Sequence, residues 1–178
     1  MANNLHFLHN EQVTSSTSST SIDNIFSATY DVYMITCNGF STVGTDGTFL
    51  GVRFIDNSGS VITGAEYDWA DLEMTSNTGF SSDNDTGATF MRIQGGYDQQ
   101  PEKTGAVIYV YNPYEADYTF ITTQSAGVTG GYNRNGKGIG IHKTAEIIRG
   151  FAIIETVTSR PYNEGKINVY GVKVWVVV

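Results

Sequence analysis

Large apolar side chains recur at every second position through most of this chain. A period of two fits a strand with one buried face, and it does not fit a helix. "YDVYMITCNGF" (residues 30–40) is rich in β-branched and aromatic residues and ends at Asn38-Gly39, a turn signal. "TFLGVRFIDNSGSVI" (48–62) reads as two strands joined at Asp56-Asn57-Ser58-Gly59, a hairpin signature. "EYDWADLEM" (66–74) reads as an irregular strand, and "TGFSSDNDTG" (78–87) as a long polar loop. "ATFMRIQ" (88–94) sets Phe90 and Arg92 against Met91 and Ile93. "AVIYVYNP" (106–113) is a strand whose ladder Pro113 ends, because proline has no N–H to donate. "DYTFITTQ" (117–124) follows, with Tyr118, Phe120 and Thr122 on one face. "AGVTGGYNRNGKGIG" (126–140) reads as a glycine-rich surface loop. Two more strands, "GIGIHKT" and "IIRGFAIIETV", meet at a bend at Thr144-Ala145, and "GKINVYGVKVWVVV" closes the chain.

These are about eight to ten short strands with turn signals between them and no amphipathic helix of ten residues. The fold class is all-β, an antiparallel β-sandwich of jelly-roll type. At 178 residues the chain suits one domain. Residues 1–12 read as an N-terminal arm and 13–178 as the sandwich. "VTSSTSSTSIDNIF" (13–26) has a linker's composition. Val13 and Ile22 bracket its hydroxyl run, however, and Ile25 and Phe26 lead into the next strand. The run is therefore expected to be an ordered edge strand.

Net charge is −8, and the ten lysines and arginines form no cluster. Nucleic acid demands a concentrated basic face, so direct binding to it is not expected. No apolar run approaches the ~20 residues that span a bilayer, so no membrane partner is expected. "MANNLHFLHNEQ" lacks the basic start and apolar centre of a secretory signal, which implies maturation in a cytoplasm. Cys37, the single cysteine, sits in an apolar run and reads as a buried small hydrophobe.

No constellation points to catalysis, cofactor or metal. His6 and His9 fall on opposite faces of a strand, and His142 stands alone. "DNDTG" (83–87) lacks the spacing and the closing glutamate of a calcium loop. The carboxylate pairs Asp68/Asp71 and Glu66/Glu73 are of a kind any acidic chain offers. Eleven tyrosines exceed what one small core holds side by side, so some must reach the surface, where they suit interfaces and sugar stacking.

Four segments in order resemble a family of small virion structural proteins of tailed phages. They are the Ser/Thr run followed by "ATYDVYMITCNGF" (with Tyr30, Asp31 and Tyr33), "GVRFIDNSGSVITGAEYDWA", "AVIYVYNPYEADYTFITTQ" and "GKINVYGVKV". The "KVWVVV" ending goes beyond the family pattern. The resemblance implies a jelly-roll protein of the virion, assembled in the host cytoplasm, with no catalytic residues. A head decoration (cement) protein is the first expectation. It would bind the major capsid protein, its own copies, or both, as a homotrimer on a local three-fold axis. The alternative is a tail-fibre tip that recognises host glycan. Contact residues expected on this reading are Leu5, Phe7 and Leu8 in the arm, the loop tyrosines Tyr97 and Tyr132, and Trp175.

Overall fold

The structure is a computed structural model, described here for residues 4–42, 48–97, 103–157 and 160–173. Its strands are β1 (Leu5–Val13), β2 (Ser19–Ile22), β3 (Val32–Thr42), β4 (Thr48–Asp56), β5 (Tyr67–Thr75) and β6 (Gly79–Ala88). They continue as β7 (Met91–Tyr97), β8 (Thr104–Tyr111), β9 (Asp117–Thr129), β10 (Tyr132–Glu146), β11 (Ile148–Glu155) and β12 (Tyr162–Val172). No helix occurs among the described residues, so none is long and apolar enough to cross a membrane.

The strands form two antiparallel sheets, ordered β1-β12-β3-β8-β9-β10-β5-β6 and β2-β11-β4-β7. Set the β5–β6 and β9–β10 hairpins aside and number the remaining eight strands in chain order. The sheets then read 1-8-3-6 and 2-7-4-5, the strand order of a jelly roll. The two hairpins are insertions into that plan. Both join the same edge of the larger sheet and widen it from four strands to eight. Twelve strands occur among the described residues, against the eight to ten expected; β1 and β6 are the two that the sequence reading took for an arm and a loop.

The core fills the space between the sheets. Ile35, Ile108, Val110, Val169 and Ile167 from the large sheet meet Leu50, Val52, Phe54, Phe151 and Ile153 from the small one. Three tyrosines, Tyr33, Tyr67 and Tyr162, are fully buried, while Tyr109, Tyr118 and Tyr132 are exposed, in line with the expectation that only some reach the surface. Each buried hydroxyl finds a backbone partner. Tyr33 donates to the Ser27 carbonyl at 2.9 Å, Tyr67 to Ile62 at 3.2 Å and Tyr162 to Ile153 at 2.9 Å. Tyr33 and Tyr67 thereby tie irregular segments to the sheets, and Tyr162 ties β12 to β11 across the core. Cys37 is fully buried, and desolvation pushes its thiol up to about 12.

Several local expectations are revised. Residues 5–12, expected as a free arm, form most of β1 and pair with β12 from Leu5↔Val172 to Val13↔Gly165. The hydroxyl run is an edge strand only over Ser19–Ile22; before it, Thr17 makes a single bridge to Tyr162. Asn38-Gly39 does not end its strand. Gly39, at φ 69°, makes a bulge and β3 continues to Thr42. The Asp56–Gly59 turn forms as expected, with the Asp56 carboxylate accepting from the Ser58 and Ser60 amides. The segment after that turn contributes only the bridge Ile55↔Val61. The polar "loop" at 78–87 is β6, and the glycine-rich "loop" at 126–140 is the tip of the β9–β10 hairpin.

Candidate functional site: the outer face of the large sheet

The inserted hairpins are built by turn chemistry. Gly130 and Gly131, at φ 59° and 78°, form a two-residue turn between paired Thr129 and Tyr132. Positive φ at both turn positions matches the twist of the flanking strands. Beyond the turn, Gly136, Gly138 and Gly140 face inward, where the space is already taken. A Cβ at Gly140 would lie 2.6 Å from Met91 Sδ, and one at Gly138 would lie 2.7 Å from Thr123 Oγ1. Between these glycines Lys137, Ile139 and Ile141 project outward, while Arg134 and His142, of the inward parity, face the other side.

Strand register aligns the outer face of all eight strands in rows. Phe7 opposes Tyr170, Tyr170 opposes Met34 and Met34 opposes Tyr109. The row runs on through Thr122, Ile139 and Ala70 to Asn84. The neighbouring row passes from Leu5 through Val172, Val32 and Tyr111. It continues through Phe120 and Ile141 to Asp68 and Thr86. Two further rows, starting at Asn10 and at Gln12, are mostly amide, hydroxyl and small residues before ending at Leu72 and Ser82 or at Met74 and Phe80. The four rows include three charged residues, Asp68, Lys137 and Lys166. Asp68 is itself paired with Lys143 at 2.7 Å.

This face is apolar and uncovered. Ile139 is 64% exposed, Phe7 60% and Phe80 76%, with Phe120, Leu72 and Tyr109 also exposed. The sheet curves there into a groove of about 500 Å³, with Ala70 and Gly140 at its floor and Phe120, Ile139, Ile141 and Asn84 among its walls. Almost all of the groove belongs to the two insertions. Contiguous exposed apolar surface bordered by polar residues makes this face the candidate contact surface of the protein.

Behind the groove, on the inner face, charge is concentrated and neutralised. The Arg92 guanidinium donates to both Asp71 oxygens at 2.9 and 3.1 Å and reaches Asp83 at 2.9 Å. It lies 4.4 Å over the Trp69 ring and 4.9 Å from the Phe49 ring centre. Arg134 reaches Glu73 at 3.3 Å. Asp68 and Asp71 thus lie on opposite faces, each with a cation, and are not an acid–base pair.

His142, read from sequence as isolated, has two carboxylates beside it. Its ring is fully buried, and Nε2 lies 3.2 Å from Glu66 Oε2 and 3.6 Å from Glu146 Oε1. Burial holds the imidazole below its ordinary value, against the opposing pull of Glu66. Burial, reinforced by Glu66, raises Glu146. His6 hydrogen-bonds the Tyr30 hydroxyl and His9 approaches Glu11 at 3.5 Å, so the two do not converge.

Of the expected contact residues, Leu5 and Phe7 sit on the outer face, and Phe7 packs edge-on against Tyr170 at 5.7 Å. Leu8 packs toward the core. Tyr132 is exposed beside the β9–β10 turn. The Tyr97 backbone pairs with Thr48, while its side chain lies outside the described residues, as does Trp175. Sequence reading missed Tyr109, Phe120, Ile139 and Ile141 as members of one surface. Their alternation was visible, but not which side of the strand would stay uncovered.

No family model matches the chain, and no curated protein matches it. Among solved structures, a likeness is found to the CBM2 module of the evolved Dit of Lactobacillus casei BL23 phage J-1. It has 8% identity and a TM-score of 0.27 and covers 97% of this chain and 99% of that one. At that score the likeness carries no argument about fold or function.

Proposed function

We propose that this chain is a non-catalytic assembly protein that works by burying the outer face of its large sheet against another protein. The particular form proposed is a phage head decoration protein, clamping major capsid protein subunits, with copies grouped as trimers about local three-fold axes. The observation that carries the reading is the pair of largely apolar rows that run across six strands, from β1 to β10. At two-residue spacing the two apolar rows measure roughly 14 Å by 29 Å on six strands, and with the two more polar rows beside them the whole face of eight strands measures roughly 27 Å by 38 Å. That area is of the order of the ~800 Å² each partner contributes to a standard protein interface. It far exceeds what one or two sugar rings would cover. The near absence of charge on the face also suits an acidic chain that must meet copies of itself without repulsion. The virion setting rests on the sequence resemblance.

The test is copy number in purified virions together with rebinding of the chain to heads that lack it. Hundreds of copies per particle, and rebinding lost in Ile139→Lys but kept in wild type, are expected. About a dozen copies, with intact heads and lost adsorption on deletion, would place the chain in the tail and favour the glycan-binding alternative. Absence from virions would end both readings.

A further inference from the structure

Glu66 precedes β5, whereas His142 and Glu146 lie on β10. Four residues of regular strand span about 13 Å, so two side chains at that spacing should not meet. They meet here because the ladder breaks. His142 pairs with Thr119 and Glu146 with Asp117, which leaves Lys143, Thr144 and Ala145 opposite Tyr118 alone. That bulge folds Glu146 back onto His142. On the other side, the Lys143 amide donates to the Glu66 carbonyl at 2.9 Å and holds the third residue in place. The three potential ligand atoms lie within 4.8 Å of one another.

We propose that Glu66, His142 and Glu146 bind a divalent transition ion of the zinc type. Zinc bonds of about 2.0–2.2 Å to nitrogen and oxygen give tetrahedral ligand–ligand edges of roughly 3.3–3.5 Å. The observed separations from Nε2, 3.2 and 3.6 Å, bracket that edge. One imidazole with two carboxylates suits zinc and its neighbours, whereas calcium and magnesium take oxygen ligands throughout. The site is also preorganised. Tyr67 and Phe54 pack against the imidazole at 5.2 and 6.0 Å between ring centres, fixing the direction of Nε2. Thr144 Oγ1 donates to Glu66 Oε2 at 2.5 Å and orients that carboxylate. The carboxylates are about one-third exposed, which gives the ion a path in and leaves a fourth position for water. His142 Nδ1 has no partner among the described residues. Loss of such an outer partner typically costs 10- to 100-fold in affinity, so micromolar rather than nanomolar binding is expected. The ion would staple the segment entering the first inserted hairpin to the end of the second.

The test is calorimetric titration of Zn²⁺ into the full chain after chelator treatment. One ion per chain at micromolar affinity is expected, weakened at least tenfold in both Glu66→Gln and Glu146→Gln. Should either variant fail to fold, the ring nitrogen signals of the unaltered chain decide: those of His142 shift on adding Zn²⁺. No saturable binding would overturn the proposal. So would undiminished binding in the two variants with loss in His9→Asn, or shifts confined to His6 and His9.

Discussion

Replacing Arg92 by methionine tests whether the paired charges behind the groove stabilise the insertions. The guanidinium makes a two-pronged bond to Asp71, a further bond to Asp83 and two ring contacts. The Asp71 side chain is 1% exposed, so it cannot turn to water when its partner goes. Removing one member of a buried pair costs about 3–5 kcal/mol, most of it the penalty of an unpaired buried charge. For a domain of this size, ~1 kcal/mol moves the melting temperature by about 2–4 °C, so Arg92→Met should melt roughly 6–20 °C lower. The measurement is urea unfolding followed by circular dichroism, with a lower midpoint and an unchanged slope. Arg92→Met with Asp71→Leu should recover most of the loss, because apolar groups of similar volume often replace a buried ion pair without penalty. A loss below about 1 kcal/mol, or a double variant no more stable than the single one, would refute the reasoning.

Three further outcomes follow from burial and close packing. Cys37, fully buried and with its thiol raised to about 12, should resist alkylation in the folded chain and react once urea is added; rapid labelling of the native protein would contradict its placement. Burial raises the Glu155 carboxyl, opposed by the Arg160 amide and charge. A raised carboxyl favours the folded state below its unfolded value, and that contribution is lost as pH rises through the folded value. Glu155→Gln should therefore raise the melting temperature at pH 7 and leave it unchanged in acid; an equal effect at both pH values would count against this account. Gly150→Ala should destabilise by about 1–3 kcal/mol in thermal melts, since its Cβ would press on the Ile22 carbonyl and lie 2.9 Å from Asp23 Cα. No loss there would mean that β2 can move away from β11.

The eight strands of the jelly-roll plan were mostly legible because each buries aliphatic or aromatic residues on one face, as Tyr33, Ile35 and Cys37 do on β3. The insertions were legible only in part: β5 and the inner parts of β9 and β10 read as strands, but β6 and the hairpin tip did not. Strand β6, "GFSSDNDTGA", is exposed on both faces until Ala88, so it carries no alternation; its backbone pairing with β5 makes it a strand. Between Gly136 and Ile141 of β10 the usual sign of the pattern is reversed, with glycine inward and large residues outward. Its Gly130-Gly131 turn was nonetheless a readable signal. The groove drew residues from four strands, three of them read as loop in whole or part. The His142 cluster depends on a bulge and on a partner 76 positions away. The bulge coincides with the bend read at Thr144-Ala145, but the distant partner leaves no mark in local sequence.

The exposed strand β6 also limits how copies can join. As the last strand of the large sheet it leaves one side of its backbone unpaired, a template for another chain's strand. Asp83 and Asp85 lie along it in a chain already carrying net negative charge, so two such edges brought side by side would repel. Pairing of two β6 edges is thereby disfavoured, while the broad outer surface stays open to contact. Copies of this protein that meet should therefore not join β6 to β6, along the edge the β5–β6 hairpin presents to solvent.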